Sequence, residues 1–165
     1  MAPAEDSGLE RGSADLVTVA KALHWFDLPS FYAEVDRVLL PGGVIAAWSY
    51  QLASVDAAVD RVIQRLYGEI VGAYWPAERA LVESGYARVP FPFSEIPSPG
   101  LFMEESWDLQ RLLGYLGTWS AVRRCREKTG SDPIEEIRGQ LESVWGDPSS
   151  LRPIRWPLSL RAGRK

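Results

Sequence analysis

The only histidine of the chain, His24, follows an apolar run and is itself followed by Trp25, Phe26 and Asp27. One imidazole supplies neither a histidine metal cluster nor a His–carboxylate–His network. It leaves two roles, a general base or a group that positions and packs at a strand end. Trp25 and Phe26 suit a pocket wall or the core equally. Cys125, the only cysteine, falls on an expected helix (121–128) with no base placed beside it, so it reads as a packed thiol. On the same helix Arg123, Arg124 and Arg126 offer either a bidentate partner for a ligand carboxylate or a solvated face. Glu104 and Glu105 read as solvent-facing.

The elements that must position these groups are visible in the hydrophobic pattern. Residues 16–20 (Leu-Val-Thr-Val-Ala) lack polar alternation, as in a parallel strand covered on both faces. Asp27 and Pro29 start a helix whose stripe is Phe31, Val35, Val38 and Leu39. Pro41-Gly42-Gly43 is expected to stop that helix and lead into a second buried strand, Val44–Trp48. A strand, a crossover helix and a second strand imply a parallel α/β sheet.

Val55, Val59, Val62, Ile63, Leu66 and Ile70 mark a longer helix ending near Tyr74-Trp75-Pro76. A short helix over Glu78–Ser84 closes at Gly85. Four prolines (90, 92, 97 and 99) make residues 90–100 an extended connection. A strand from Leu101, helices near 108–116, 121–128 and 133–144, and a last strand follow. Asp132 caps the third of these helices and Pro133 opens it. In the last strand Ile154, Trp156, Leu158 and Leu160 alternate with Arg155, Pro157, Ser159 and Arg161, and Pro157 is expected at an edge or a bulge.

At 165 residues, 46% hydrophobic and 24% charged, the chain reads as one ordinary globular domain. A formal net charge of −4 argues against a nucleic-acid surface. Arg152, Arg155, Arg161, Arg164 and Lys165 nevertheless make the C-terminus locally basic, through a solvated strand or a phosphate site. A lone cysteine, acidic residues near the N-terminus and the lack of an apolar span point to a cytoplasmic protein outside the membrane. Seven tryptophans suit a core, a pocket or an interface.

Ala22-Leu23-His24-Trp25-Phe26-Asp27 after one strand and Leu39-Leu40-Pro41-Gly42-Gly43-Val44 before the next resemble the class I S-adenosylmethionine-dependent methyltransferases. Within them the chain is similar to the methyltransferase type 11 group, trans-aconitate methyltransferases included. Three further segments extend the resemblance: Tyr74–Arg79, Gly114–Ala121 and Arg155–Leu158. The resemblance implies a partial Rossmann-like methyltransferase sheet in a single α/β domain, 1–165, with helical lid elements after residue 50. The family's first strands and glycine-rich cofactor loop have no counterpart here, and no Gly-x-Gly occurs. A truncated chain is therefore the expectation.

By the same resemblance, Ala4 and Glu5 bracket the adenine of S-adenosylmethionine, and Ala20, Ala22, His24 and Trp25 face its methionine and sulfonium. An indole face beside a cation is favourable. Lys21, where the family often has Gln, must turn away or weaken cofactor binding. Tyr115, Trp119 and Ser120 fall where the family folds helices over the acceptor, and ordinary helix packing is their other reading. The implied activity is methyl transfer to a small molecule, a carboxylic acid being one candidate. No catalytic base is assigned, since an ionised oxygen needs none. The alternative is an inactive methyltransferase-like binding or interaction module. Self-association through an exposed sheet edge is a further expectation.

Overall fold

A computed structural model describes residues 2–165. The strands are β1 (Ala14–Ala20), β2 (Leu39–Tyr50), β3 (Ser94–Ile96), β4 (Leu101–Trp107) and β5 (Arg152–Arg164). The α-helices are α1 (Leu28–Val38), α2 (Ala57–Arg65), α3 (Arg79–Glu83), α4 (Leu109–Gly117), α5 (Ser120–Thr129) and α6 (Pro133–Trp145). They form two compact units. One holds the chain up to Gln51, Glu78–Phe102 and Pro157–Lys165; the other holds Leu52–Ala77 and Met103–Trp156.

The first unit is built on a mixed sheet in the order β1-β2-β5-β3. β1 and β2 are parallel in the register Leu16↔Val44 to Ala20↔Trp48, as the strand–helix–strand reading requires. β2 and β3 each run antiparallel to β5. The Asp27 carboxylate accepts from the Ser30 N–H at 3.0 Å and Pro29 sits in the first turn of α1, so this helix starts where its sequence signals place it. Phe31 and Val35 of its stripe are buried in one cluster with Ile45 and Ala47 of β2 and Val19 of β1, and Val38 is buried as well.

Three expectations are corrected here. β1 is not covered on both faces: Val19 is 5% exposed, but Leu16 is 55% exposed and Thr18 and Ala20 are open. Apolar composition does not distinguish a one-sided strand at the end of a sheet from a two-sided one. Pro41-Gly42-Gly43 does not lie between helix and strand. α1 ends at Val38, pairing starts at once with Ala14↔Leu39, and the three residues bulge before Leu16↔Val44. Gly42 has φ +81°, and a Cβ on Gly43 would come within 3.0 Å of the Leu40 carbonyl and 3.2 Å of that of Asp15, so the bulge demands both glycines. Of the two places expected for Pro157, an edge or a bulge, the edge is excluded because β5 lies between β2 and β3, while the register shifts by one residue across Pro157, from Tyr50↔Leu158 to Ser54↔Arg155, as at a bulge. The proline keeps a carbonyl, and that carbonyl accepts from the Gln51 N–H at 2.8 Å.

In the second unit the helix expected over 55–70 breaks into α2, a π turn at Leu66–Ile70 and a 3₁₀ turn at Gly72–Tyr74. Its apolar stripe is buried nonetheless, through Val59, Val62, Ile63 and Leu66. α4, α5 and α6 bury Leu112, Leu116, Val122, Ile137 and Leu141 beside it. Gly130 closes α5 in the left-handed conformation, and Asp132 caps α6 through the Ile134 N–H at 3.0 Å, as the stop-and-start sequence implies. Among the described residues no helix is long and apolar enough to cross a membrane.

Candidate functional site

β1 and β2 end side by side, and the loop after β1 carries the chemistry. In open α/β sheets the crevice beyond the carboxyl ends of the strands is where ligands bind. Lys21 turns the chain there with φ +50°, its N–H donating to the Trp48 carbonyl at 2.7 Å. A 3₁₀ turn, Leu23–Trp25, follows. Leu23 is fully buried and anchors the turn, which leaves His24 half-buried and Trp25 59% exposed, their rings 4.7 Å apart.

His24 Nδ1 lies 3.0 Å from the Tyr86 hydroxyl. Tyr86 is fully buried and has φ +64°, directly after Gly85 at +60°. Among the described residues only Lys21 and Tyr86 are left-handed without being glycine; Lys21 opens the loop that carries this histidine and Tyr86 bonds its ring. Such a conformation costs about 1–3 kcal/mol and persists only where its surroundings impose it. Here the Tyr86 N–H donates to Leu81, and Arg161 Nη1 donates to the Tyr86 and Val89 carbonyls at 2.9 and 2.6 Å. Burial lowers the His24 pKa, and Lys21 and Arg79 lower it further, against Glu78. The Lys21 ammonium sits over the Tyr50 ring, 3.2 Å from its centroid, and burial, aided by Arg79, brings its pKa down to about 8.

Ala4, Ala20 and Ala22 line one cavity of about 280 Å³, together with Val19, Phe26 and Glu34 among others. His24 and Trp25 lie outside that lining. Glu5 is drawn to the start of α1, where its carboxylate accepts from the Asp27 N–H at 3.1 Å. Nearby the Glu34 carboxylate accepts from the Ser7 N–H and hydroxyl and from Arg37. These bonds hold its pKa down at about 2, the Arg37 bond first.

In the second unit Tyr115 and Trp119 belong to a continuous set of rings. Trp119 touches Tyr67, Trp75 and Tyr115, and Tyr115 touches Trp107 and Trp156. The Tyr115 hydroxyl also accepts from Trp156 Nε1 at 3.1 Å. Ser120 is the first residue of α5. The arginines after it are engaged with protein. Arg126 pairs with Asp132 at 2.8 Å, Arg124 donates to the Tyr74 carbonyl, and Arg123 lies 4.0 Å from Glu127. The basic C-terminus is likewise matched, Arg152 with Asp56, Arg155 with Glu104, Arg161 with Glu95 and Lys165 with Asp36.

Sequence reasoning missed Tyr86, Glu34 and the seat of Lys21 on Tyr50. Tyr86 is 62 residues from His24 and carries no motif. The Gly85-Tyr86 pair after a short helix was the one local signal, and it indicated a turn.

Residues 1–47 match the family model for a methyltransferase domain. A Dictyostelium discoideum protein named as a methyltransferase is 31% identical over 174 residues. That match takes in 100% of this chain and 65% of the relative, so the chain spans just under two thirds of that protein's length. A solved structure from Anaeromyxobacter dehalogenans, described as a type II methyltransferase, is 50% identical with a TM-score of 0.93. The match covers 99% of this chain and 69% of that one, and the two share the Rossmann-like methyltransferase architecture.

Proposed function

This chain belongs to the methyltransferase-domain family, and from that premise we propose that it takes part in S-adenosylmethionine-dependent methyl transfer to a small molecule. The observation that carries the reading is the family match over residues 1–47, which hold β1, the His24 loop, α1 and most of β2.

The residues present suit such a group. Ala4, Ala20 and Ala22 have no side chain beyond Cβ, so a flat ring can approach the backbone, and Phe26 makes the same cavity apolar. Trp25 offers an open indole face to a cation. S-adenosylmethionine, when bound, supplies a methyl group activated on a sulfonium. On this reading Ala4, Glu5, Ala20, Ala22, His24 and Trp25 hold the cofactor. Glu5 contributes by fixing the N-terminal segment on Asp27 rather than by direct contact. Lys21, seated on Tyr50, directs its charge to that ring. Tyr115, Trp119 and Ser120 are assigned to the acceptor. With Arg124 and Arg126 bonded to protein groups, the fit of the acceptor rests on the rings rather than on a guanidinium.

The acidic balance favours a small acceptor over nucleic acid, and the single cysteine favours a reducing cytoplasm. β1 ends the sheet, and its outer edge is the surface through which we propose copies of the chain associate. Calorimetric titration with S-adenosylhomocysteine, followed by transfer of labelled methyl to a panel of small acids, tests the main reading. Binding that Trp25→Ala weakens supports it, and binding that Trp25→Ala leaves unchanged refutes the assignment of the site.

A further inference from the structure

We propose that Tyr86 is a positioning residue that makes His24 a neutral hydrogen-bond donor, its Nδ1 lone pair capped by the Tyr86 hydroxyl and its Nε2–H presented to an acceptor atom of the ligand. The identity of that ligand rests on the methyltransferase reading; the state of the histidine does not.

The Ser49 hydroxyl and the Leu23 backbone N–H both face the Tyr86 oxygen and offset part of the rise that burial imposes on its pKa. The phenol proton then needs an acceptor, because a fully buried hydroxyl left unpaired is costly. Ser49 Oγ, also buried, lies beside the phenol but meets no partner at full hydrogen-bond geometry. His24 Nδ1, at 3.0 Å, is the partner the geometry supplies. A neutral imidazole whose Nδ1 accepts must carry its proton on Nε2. Among the described residues Nε2 has no hydrogen-bond partner, and His24 is half-buried beside the open ring of Trp25.

The charged groups around the histidine act in the same direction. Lys21, on its own loop, and Arg79, on α3, disfavour an imidazolium; Glu78, before α3, opposes them and does not prevail. Tyr86, packed from the other side with its ring centroid 6.0 Å away, is itself held neutral by burial. The backbone confirms how strongly the contact is imposed. Tyr86 is held left-handed by Leu81 and Arg161, and from that turn its hydroxyl reaches His24 Nδ1. A base at this position would need a free Nε2 lone pair, which this tautomer lacks. The ligand atom facing His24 is therefore one that arrives with its lone pair available and no proton to surrender.

Because His24 is the only histidine, one ¹⁵N-labelled sample of the full chain reports it without ambiguity. Two-bond ¹H–¹⁵N spectra above the histidine pKa should show Nδ1 as the bare nitrogen and Nε2 as the protonated one. The opposite tautomer overturns the proposal on the wild-type protein alone, whether or not any variant folds. Tyr86→Phe removes a bond made only to the neutral form, so the His24 pKa should rise by about 0.5–1 unit. A fall, or no change, means that Nδ1–H is the donor and overturns it.

A third measurement concerns the role. The amide N–H of glutamine can replace an Nε2–H donor but not a base. His24→Gln should keep methyl transfer within about tenfold of wild type while His24→Ala loses more. Equal loss in both overturns the donor role. Absence of methyl transfer by the wild type refutes the methyltransferase reading and leaves the tautomer to the spectra.

Discussion

Glu34, in the second turn of α1, accepts a hydrogen bond at 2.9 Å from the backbone N–H of Ser7, 27 residues before it, and a second from the Ser7 hydroxyl. Arg37 completes the clamp. It donates through Nε and Nη2 to the same carboxylate and through Nη2 to the Leu9 carbonyl at 2.7 Å. The segment that carries Ala4 and Glu5 is thereby tied to the helix that backs β1. The Glu5 carboxylate, accepting from the Asp27 N–H, adds a second tie to the same helix.

Glu34→Gln should loosen this segment while leaving the sheet intact. Cleavage before Ser13 in limited proteolysis should speed up, and the melting temperature should fall by a few degrees. The pH dependence has a definite sign. The folded carboxyl sits at about 2 against an ordinary 4.5, so its contribution is complete above 4.5 and is lost as pH falls toward 2. Acid titration of wild type and variant should converge over that window. Parallel curves would show that Glu34 is not the anchor.

Gly163 of β5 has no room for a side chain. A Cβ there would lie 2.6 Å from the Phe91 ring and 2.7 Å from Phe93 Cβ, both packed around Tyr32. Gly163→Ala should cost about 1–3 kcal/mol in urea unfolding, with Gly139→Ala, where nothing lies within 4 Å, as the neutral or stabilising control.

The one-sidedness of β1 can be measured directly. Leu16→Ser should change stability by no more than about 0.5 kcal/mol, whereas Val19→Ala should cost about 1–3 kcal/mol. Equal costs would mean that the outer face of β1 is covered.

Trp25 and Trp119 should separate by readout. Trp25→Ala should leave the melting temperature unchanged and weaken binding of S-adenosylhomocysteine, through lost ring contact, or of S-adenosylmethionine, by about 5–30-fold if the sulfonium meets the indole. Trp119→Ala removes ring contacts with Tyr67, Trp75 and Tyr115 and should cost about 2 kcal/mol or more of stability. A calorimetric and a thermal titration of both variants decide the matter.

The sequence by itself determined the elements whose signals are local. Asp27 with Pro29, Asp132 with Pro133, and Gly130 act within one turn of backbone, so the starts of α1 and α6 and the end of α5 follow from residue type. The stripe Phe31, Val35, Val38 fixed which face of α1 is buried, and the parallel pairing of β1 with β2 followed from the strand–helix–strand order. The motif at Ala22–Asp27 likewise located the loop that carries His24 and Trp25.

Only the tertiary structure decided what depends on residues far apart in the chain. Whether β1 is covered, whether Pro157 lies at an edge, and that Pro41–Gly43 is a bulge are questions of strand neighbours, which an apolar run does not encode. The pairing of Glu34 with Ser7, and of Tyr86 with His24 across 62 residues, arises because the fold brings polar groups together in places where leaving them unpaired is costly. The sequence named the histidine. The buried tyrosine that sets where its proton resides became visible only when the chain was folded.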